Sequence, residues 1–329
     1  MSTTATTVRS AGPVAGSRSF LSRLREGDEI ARLITFLFAA SVVLLTLLLV
    51  LELWRGSVLP RRTFGFNFFR TSVWDPVFDQ FGALPFIYGT LVSSAVALFL
   101  AVPLGLGAAI FLAELAPLRL SDTLEFFIDL LAAVPSVIYG LLGIFIVVPL
   151  MREVVQPQLK RFFGFLPLFQ RPAFGLGFLT AGVVLAIMII PYIISVSREI
   201  LLSVPRDQRE AALALGSTRW ESTWKIVVPF ARGGILGSMF LALARALGET
   251  MAVTMVIGNT PVISASLLSP GDSIASVIAS QFKEATGDLY TQSLIELGLV
   301  LFLLTFILNG LARLLILVTS QRGSGMGHA

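Results

Sequence analysis

The sequence is built around long uncharged runs, and QFGALPFIYGTLVSSAVALFLAVPLGLGAAIFLA, Gln80–Ala113, extends for 34 residues without a charge. An α-helix needs about 20 mostly apolar residues to cross the hydrocarbon core of a bilayer. Inside the bilayer every backbone N–H and C=O must be paired within the protein, which leaves helices and closed barrels as spanning structures. Barrel strands are short and alternate in polarity, whereas this run is long and uniformly apolar. We therefore predict that it forms a membrane-spanning helix.

Five further runs of this kind occur along the chain. The run between Gly233 and Gly271 is interrupted only by Arg245 and Glu249, and the last run reaches a full span if Glu296 lies at the membrane interface. Together the runs predict six transmembrane helices, near residues 30–54, 84–113, 124–150, 174–198, 230–258 and 291–318. The predicted fold is an all-α integral membrane protein, with polar tails at residues 1–29 and 319–329.

The composition is typical of a membrane protein and argues against several kinds of chemistry. Hydrophobic residues make up 55% of the chain and charged residues 13%, against roughly 25% charged residues in soluble domains. The chain has no cysteine, and its single histidine is His328. It therefore lacks thiolate ligands, a cysteine nucleophile and the usual general base. We predict no catalytic residue and no metal site, and an intramembrane enzyme would have to work with carboxylates alone.

The positive residues predict the orientation of the chain in the membrane. The net charge is +4, and the arginines are scattered between the apolar runs, which favours membrane flanks over a nucleic-acid surface. With both termini in the cytoplasm, 14 positive residues fall inside and 9 outside, in the direction of the positive-inside rule. The polar stretch before the first span contains Glu26, Asp28 and Glu29, so we expect that it is not a cleavable signal peptide.

The segment between the fourth and fifth spans contains residues that are typical of the beginnings and ends of two short helices. It reads PRDQREAALALGSTRWESTWKIVVP, Pro205–Pro229. Pro205 suits the first turn of a helix, and Gly216 suits the left-handed residue that ends it. Thr218 and Glu221 have the spacing of a capping box for a second helix. The sequence therefore predicts two short cytoplasmic helices hinged at Gly216, although an ordinary amphipathic helix-turn-helix would have the same pattern.

The pattern Glu-Ala-Ala-x3-Gly-x9-Ile-x-(Leu)-Pro in this segment resembles the EAA loop of permease subunits of binding-protein-dependent ABC importers, with Val228 in the place where leucine is usual. The resemblance implies a type I ABC importer permease fold with cytoplasmic coupling helices. It also implies that the loop, residues 203–229, docks on a separate ATPase subunit and transmits its closure. The coupling residues carried over by the resemblance are Glu210, Ala211, Ala212 and Gly216.

Further segments are similar to the phosphate-specific permeases of this class, the PstC type. They are ARALGETMAVTMVIGN at 244–259, LAAVPSVIYG at 131–140, IMIIPY at 187–192 and IYGTL at 87–91. The resemblance covers nearly the whole chain after residue 30 and implies a permease core of five helices over 84–318. It implies import of inorganic phosphate across the bacterial inner membrane with a second homologous permease, an ATP-binding subunit dimer and an extracytoplasmic phosphate-binding protein. A permease for another oxyanion, sulfate or molybdate, is the alternative within the class.

Nucleotide binding is predicted to reside in a partner chain. A P-loop contains Gly-Lys-[Ser/Thr], and none of the three lysines, Lys160, Lys225 and Lys283, follows a glycine. We therefore predict that this chain binds no cofactor, that ATP and Mg²⁺ are bound by the ATPase, and that the other contact of the chain is membrane lipid. An ATP-independent channel or secondary transporter is the alternative of a different class, and it leaves the EAA pattern unexplained.

Two charged residues lie inside the predicted fifth span. Arg245 and Glu249 are four residues apart, which places them on one face of a continuous helix. An unpaired arginine at mid-bilayer costs on the order of 3 kcal/mol, so both charges must face protein or a water-filled path. We hypothesise a gate, in which the pair closes the path and the anion transiently replaces Glu249 as the partner of Arg245. A salt bridge that only fixes helix packing is the alternative.

Prolines fall inside three predicted spans, at Pro103, Pro135 and Pro191. Each removes a helical hydrogen bond and kinks or breaks its helix, and broken helices often line transporter sites. Ser136 and Tyr139 follow Pro135, and Tyr192 follows Pro191. These three residues are weaker candidates for the translocation path, since each could instead be packed with a hydrogen bond.

Overall fold

The computed structural model describes residues 28–324, with side chains from Ile30 to Leu317. The predicted N-terminal tail, 1–29, therefore lies almost wholly outside the described residues, whereas residues 319–324 of the predicted C-terminal tail, 319–329, continue the last helix. The chain divides into two compact units, Met1–Glu52 and Leu53–Ala329. The described part of the first unit is an apolar helix, α1, Asp28–Gly56, whose last residues belong to the second unit.

Helices make up most of the second unit. The α-helices are α2 (Val58–Thr63), α3 (Leu84–Ile110), α4 (Leu118–Ala132), α5 (Ser136–Leu142), α6 (Val148–Leu150), α7 (Gln156–Phe163), α8 (Phe178–Leu202), α9 (Arg206–Ala214), α10 (Arg219–Ser222), α11 (Val228–Leu247), α12 (Met251–Val256), α13 (Ile274–Gln281) and α14 (Asp288–Ser324). Wider π-helical turns lie at Phe111–Leu115, Gly143–Val147, Met151–Val155 and Thr223–Val227, and 3-10 turns at Gly65–Phe69 and Pro167–Phe169. Two short strands, β1 (Trp74–Asp75) and β2 (Gln80–Phe81), pair antiparallel with Trp74 opposite Phe81.

Six helical segments among the described residues are long and apolar enough to cross a membrane. They are Ile30–Gly56, Leu84–Leu115, Ser136–Phe163, Phe178–Leu202, Arg219–Leu247 and Asp288–Leu317. The predicted all-α membrane fold with six spans is therefore confirmed. The first, second, fourth and sixth spans lie within a few residues of their predicted positions, whereas the third and fifth do not.

The prediction of one span over residues 124–150 is wrong. The chain forms α4 as far as Ala132 and begins a new helix, α5, after Pro135, whose ψ of 140° is extended. Proline has no N–H to donate, and the residue before it avoids helical conformation, so one apolar run is divided between two helices. The third span therefore begins at Ser136 and extends to Phe163.

Small residues allow the second and fourth spans to pack closely. Ala97, Ala101, Gly105 and Ala109 recur every four residues on α3, and all four are buried. A Cβ added at Gly105 would lie 2.9 Å from Cγ2 of Ile193 on α8. Such stripes stabilise membrane helix pairs because they let the backbones approach. The fourth span is accordingly the most buried of the six.

The segment between α12 and α13 folds back against α3 and buries a carboxyl group. Asp272 is 1% exposed, its Oδ1 accepts a hydrogen bond from the backbone N–H of Ser273 at 2.8 Å, and its Oδ2 has no hydrogen-bond partner. The backbone N–H of Ile274 donates to Oγ1 of Thr90 at 3.0 Å, which fixes the segment to α3. Burial raises the pKa of the Asp272 carboxyl to about 6.

We expect this carboxyl to make the folded protein less stable as the pH rises. Because the pKa of this carboxyl is higher in the folded protein than in the unfolded chain, its protonated form stabilises the fold. That contribution is lost as the pH rises through about 6. Asp272→Asn keeps the shape and cannot ionise. Between about pH 5 and about pH 7.5, thermal unfolding in detergent is expected to show a loss on the order of 1 kcal/mol in the native chain that the variant lacks. The exposed Asp288→Asn serves as the control, and an unchanged pH dependence in Asp272→Asn contradicts the assignment.

Candidate functional site

The predicted pair of short helices is present between the fourth and fifth spans. Gly216 has a φ of +86°, in the left-handed region. Its N–H donates to the carbonyl of Leu213 at 3.0 Å, and the N–H of Ser217 donates to the carbonyl of Ala212 at 3.1 Å. These two bonds form a Schellman motif, which ends α9 and turns the chain. The prediction that Gly216 ends the first short helix in a left-handed conformation is therefore confirmed.

The second helix of the pair begins at the predicted capping box. The N–H of Thr218 donates to Oε2 of Glu221 at 3.0 Å, and the N–H of Glu221 donates to Oγ1 of Thr218 at 3.2 Å. Three large apolar side chains of this segment are exposed. Leu215, between the two helices, is 89% exposed, and Trp220 and Trp224 are about half exposed. An exposed apolar surface of this kind is typical of a contact with another protein.

The two faces of α9 differ. Glu210 and Ala211 are exposed, whereas Ala212 is buried. Arg209 points inward and donates to Glu114 through Nε at 3.2 Å and through Nη2 at 2.8 Å.

The hydrogen bonds of Arg209 connect α9 to the ends of the second and fourth spans. Glu114 closes the second span, and Nη2 of Arg209 also donates to the carbonyl of Leu201 at the end of the fourth span, at 2.7 Å. A bidentate arginine–carboxylate pair fixes geometry as well as distance. The sequence pattern did not single out Arg209, although this residue directly precedes Glu210 and Glu114 is the first charge after the longest uncharged run.

The fifth span is broken where the sequence predicted a continuous helix over 230–258, so that prediction is wrong. Helix α11 ends at Leu247, Gly248 and Glu249 are not helical, and α12 begins at Met251. The carboxylate of Glu249 accepts a hydrogen bond from the N–H of Ala252 at 3.2 Å. A carboxylate so placed satisfies a free donor in the first turn of α12 and favours a helix start there. Such a break leaves unpaired backbone that water or a solute can contact.

Arg245 lies in the last turn of α11, and Glu249 lies in the break that follows it. The Arg245 guanidinium lies over the ring of Tyr192 on α8, with Cζ 5.9 Å from the ring centroid, within the range of a cation–π contact. Within the described part of the chain no ion pair joins Arg245 to Glu249. Arg245 is exposed and Glu249 half-buried on the single chain. The site therefore offers an arginine that an anion can reach without first displacing a carboxylate.

The weaker candidates differ in their surroundings. Tyr139 is buried and donates its hydroxyl hydrogen to the carbonyl of Leu131 at 2.7 Å, so it is packed with a hydrogen bond. Ser136 is half-buried at the start of α5. A Cβ added at Gly140 would lie 3.2 Å from the Cα of Ala252, which shows that α5 packs tightly against α12. The start of the third span thus packs against the helix that follows the break in the fifth span.

Six spans, a break in the fifth span beside Arg245 and Glu249, and a pair of short helices attached to two spans are typical of a membrane permease. The chain belongs to the family of binding-protein-dependent transport system inner membrane components, whose model matches residues 101–317.

Several relatives are similar over most of the chain. A phosphate transport system permease protein PstC of Mesorhizobium japonicum is 46% identical over 290 residues, which cover 86% of this chain and 89% of that protein. The proteins of the same name from Pasteurella multocida and Xylella fastidiosa (strain Temecula1) are both 49% identical, over 86% and 78% of this chain and 89% and 81% of their own lengths.

Solved structures share the fold at low sequence identity. A bacterial ABC transporter involved in the import of the acidic polysaccharide alginate matches with a TM-score of 0.58 at 17% identity, over 88% of this chain and 98% of that chain. The MetNI methionine ABC transporter in an inward-facing conformation matches with a TM-score of 0.55 at 16% identity, over 75% of this chain and 99% of that chain. The type I ABC importer permease fold is therefore confirmed.

Proposed function

We propose that this chain is the permease subunit of an ATP-driven importer of inorganic phosphate. The observation that carries the proposal is the helix pair α9–α10. Its outer face is exposed, and its inner face is hydrogen-bonded to the ends of two spans. The relatives named as phosphate transport permeases, at 46–49% identity, support the choice of substrate.

Coupling follows from the two faces of α9. The exposed face, with Glu210 and Ala211, contacts a separate ATPase subunit that binds ATP and Mg²⁺. Arg209 and its partner Glu114 then transmit a movement of α9 to the second span, since a largely buried bidentate pair resists being pulled apart. The chain itself contributes no nucleotide chemistry and binds no cofactor.

Translocation takes place beside the break in the fifth span. Arg245 provides a guanidinium, which matches the geometry of a phosphate oxygen pair. Glu249 stays at the start of α12 until the spans move, and it pairs with Arg245 only when the path is closed and empty. Phosphate replaces Glu249 as the partner of Arg245 during passage, so the two charges act as a gate.

The proposed assembly lies in the bacterial inner membrane with both termini of this chain in the cytoplasm. Its other components are a second homologous permease, a dimer of ATP-binding subunits and an extracytoplasmic phosphate-binding protein. No nucleic acid takes part. Sulfate or molybdate is the alternative substrate, and competition distinguishes it.

Reconstitution tests this function. The purified chain alone is expected to hydrolyse no ATP, whereas the chain assembled with its partners in liposomes is expected to import radiolabelled phosphate only with ATP inside. A tenfold excess of sulfate or molybdate is expected to leave this uptake unchanged. Robust hydrolysis by the isolated chain, uptake without ATP, or equal competition by another oxyanion contradicts the assignment of a phosphate permease.

A further inference from the structure

A cavity beside the sixth span has no role in the proposed transport. Its volume is about 380 Å³, and Trp54, Phe66 and Phe69 form its aromatic walls, while Leu299 and Leu303 of α14 form its aliphatic floor. We call it the aromatic cavity. Phe66 is 87% exposed and Trp54 57% exposed, so the cavity is open to the surroundings of the protein.

A carboxyl group lines this cavity together with Arg61, whose positive charge attracts it. Glu296 lies on α14 with 2% of its surface exposed, and its Oε2 has no hydrogen-bond partner. A buried charge in a membrane span is costly unless an opposite charge or hydrogen-bond donors meet it. The cavity therefore suits a ligand that brings a cationic donor to Glu296.

An arginine lines the same cavity. The Arg61 guanidinium stacks over Trp54, with Cζ 3.7 Å from the ring centroid. Its Nε donates to the carbonyl of Ser57 at 3.0 Å, and its Nη2 donates to the carbonyl of Trp54. In the described structure its Nη1 donors have no such bond. A guanidinium held in place with free N–H groups is suited to a phosphate group.

The cavity lies near the end of a span, at a level that suits a lipid headgroup. Trp54 stands near the end of the first span, where tryptophan is typical of the membrane–water interface. Glu296 lies eight residues after Asp288, or about 12 Å along α14. Below the cavity, Leu303, Ile307 and Leu311 form an exposed ridge at four-residue spacing on the same helix.

We propose that the aromatic cavity binds an aminophospholipid, with the ammonium group on Glu296, the phosphate on Arg61 and an acyl chain along the ridge. Phosphatidylethanolamine has this combination of charges. A purely anionic headgroup leaves Glu296 without a partner and is repelled by it. A soluble amine or free phosphate engages one charge and leaves the ridge uncovered. The complementarity of both charges therefore selects a zwitterionic lipid with a primary amine.

Native mass spectrometry of the full chain in detergent tests the proposal, with dioleoyl phosphatidylethanolamine and dioleoyl phosphatidylglycerol as probes. We expect the native chain to retain one phosphatidylethanolamine in preference to phosphatidylglycerol. Glu296→Gln is expected to weaken phosphatidylethanolamine binding about tenfold and to remove the preference, because a charge-assisted bond is lost. Arg61→Gln is expected to weaken the binding of both lipids.

Matched substitutions outside the cavity control for folding and for net charge. Arg62→Gln changes the exposed neighbour of Arg61, and Glu284→Gln changes an exposed glutamate; both are expected to bind lipid like the native chain. Since Glu296→Gln removes a buried charge, it is not expected to lower the unfolding temperature. Equal retention of the two lipids by the native chain, or phosphatidylethanolamine binding by Glu296→Gln equal to that of Glu284→Gln, overturns the proposal.

Discussion

Replacing Gly216 with valine is expected to abolish phosphate import while the chain remains inserted in the membrane. The φ of +86° at this residue is strained for a side chain with a Cβ and more so for a β-branched one. A strain of about 1–3 kcal/mol opposes the left-handed turn that ends this nine-residue helix. Helix α9 is therefore expected to change direction, so that closure of the proposed ATPase partner no longer reaches the spans.

The space around Gly216 makes this substitution a clean test. An added Cβ at Gly216 would have no atom within 4 Å, so valine acts through the backbone and not through a collision. Asn tolerates the left-handed region, and Gly216→Asn is therefore the matched control. We expect uptake to fall at least about tenfold in Gly216→Val and to stay near the native level in Gly216→Asn, at equal amounts in the membrane. Normal uptake by the valine variant would sink the coupling role of the loop.

The sequence correctly predicted where the first short helix between the fourth and fifth spans ends and where the second begins. Gly216, Thr218 and Glu221 decide helix ends through their own backbone and side chains, and those effects depend on residues a few positions away. The attachment of α9 could not be predicted in this way. Arg209 and Glu114 are 95 residues apart, and only the packing of the spans brings them together.

The two wrong span boundaries have a common physical cause. Hydropathy measures whether a segment can lie in a bilayer and does not measure whether its backbone is continuous. Pro135 divides one apolar run because it cannot donate a hydrogen bond. The sequence gives a weaker signal for the break at Glu249. Its carboxylate can accept a hydrogen bond from the N–H of Ala252 only where the chain already turns. Both breaks lie where α5 packs against α12, so the continuous-helix prediction failed at the candidate translocation site.

This geometry changes how the charged pair is to be tested. On a continuous helix Arg245 and Glu249 would lie on one face, where a mutual salt bridge is the alternative to a gate. In the structure Glu249 lies in the break that follows the helix of Arg245, with Arg245 over Tyr192 and Glu249 bonded to Ala252. Either single neutral variant leaves the other charge without its transient partner, and that affects stability as well as transport. Single variants therefore cannot separate the two roles.

The double variant Arg245→Gln with Glu249→Gln leaves neither charge alone and is expected to fold and assemble but fail to import phosphate. Loss of a charge-assisted contact to the anion is expected to lower uptake about tenfold to a hundredfold. Tyr192→Phe keeps the ring beneath Arg245 and is expected to import like the native chain. Uptake is measured with radiolabelled phosphate in liposomes at matched amounts of assembled complex. Wild-type uptake by the double variant would falsify the gate, because a pair that only fixes packing can be replaced by two neutral amides, whereas a guanidinium that meets the passing anion cannot.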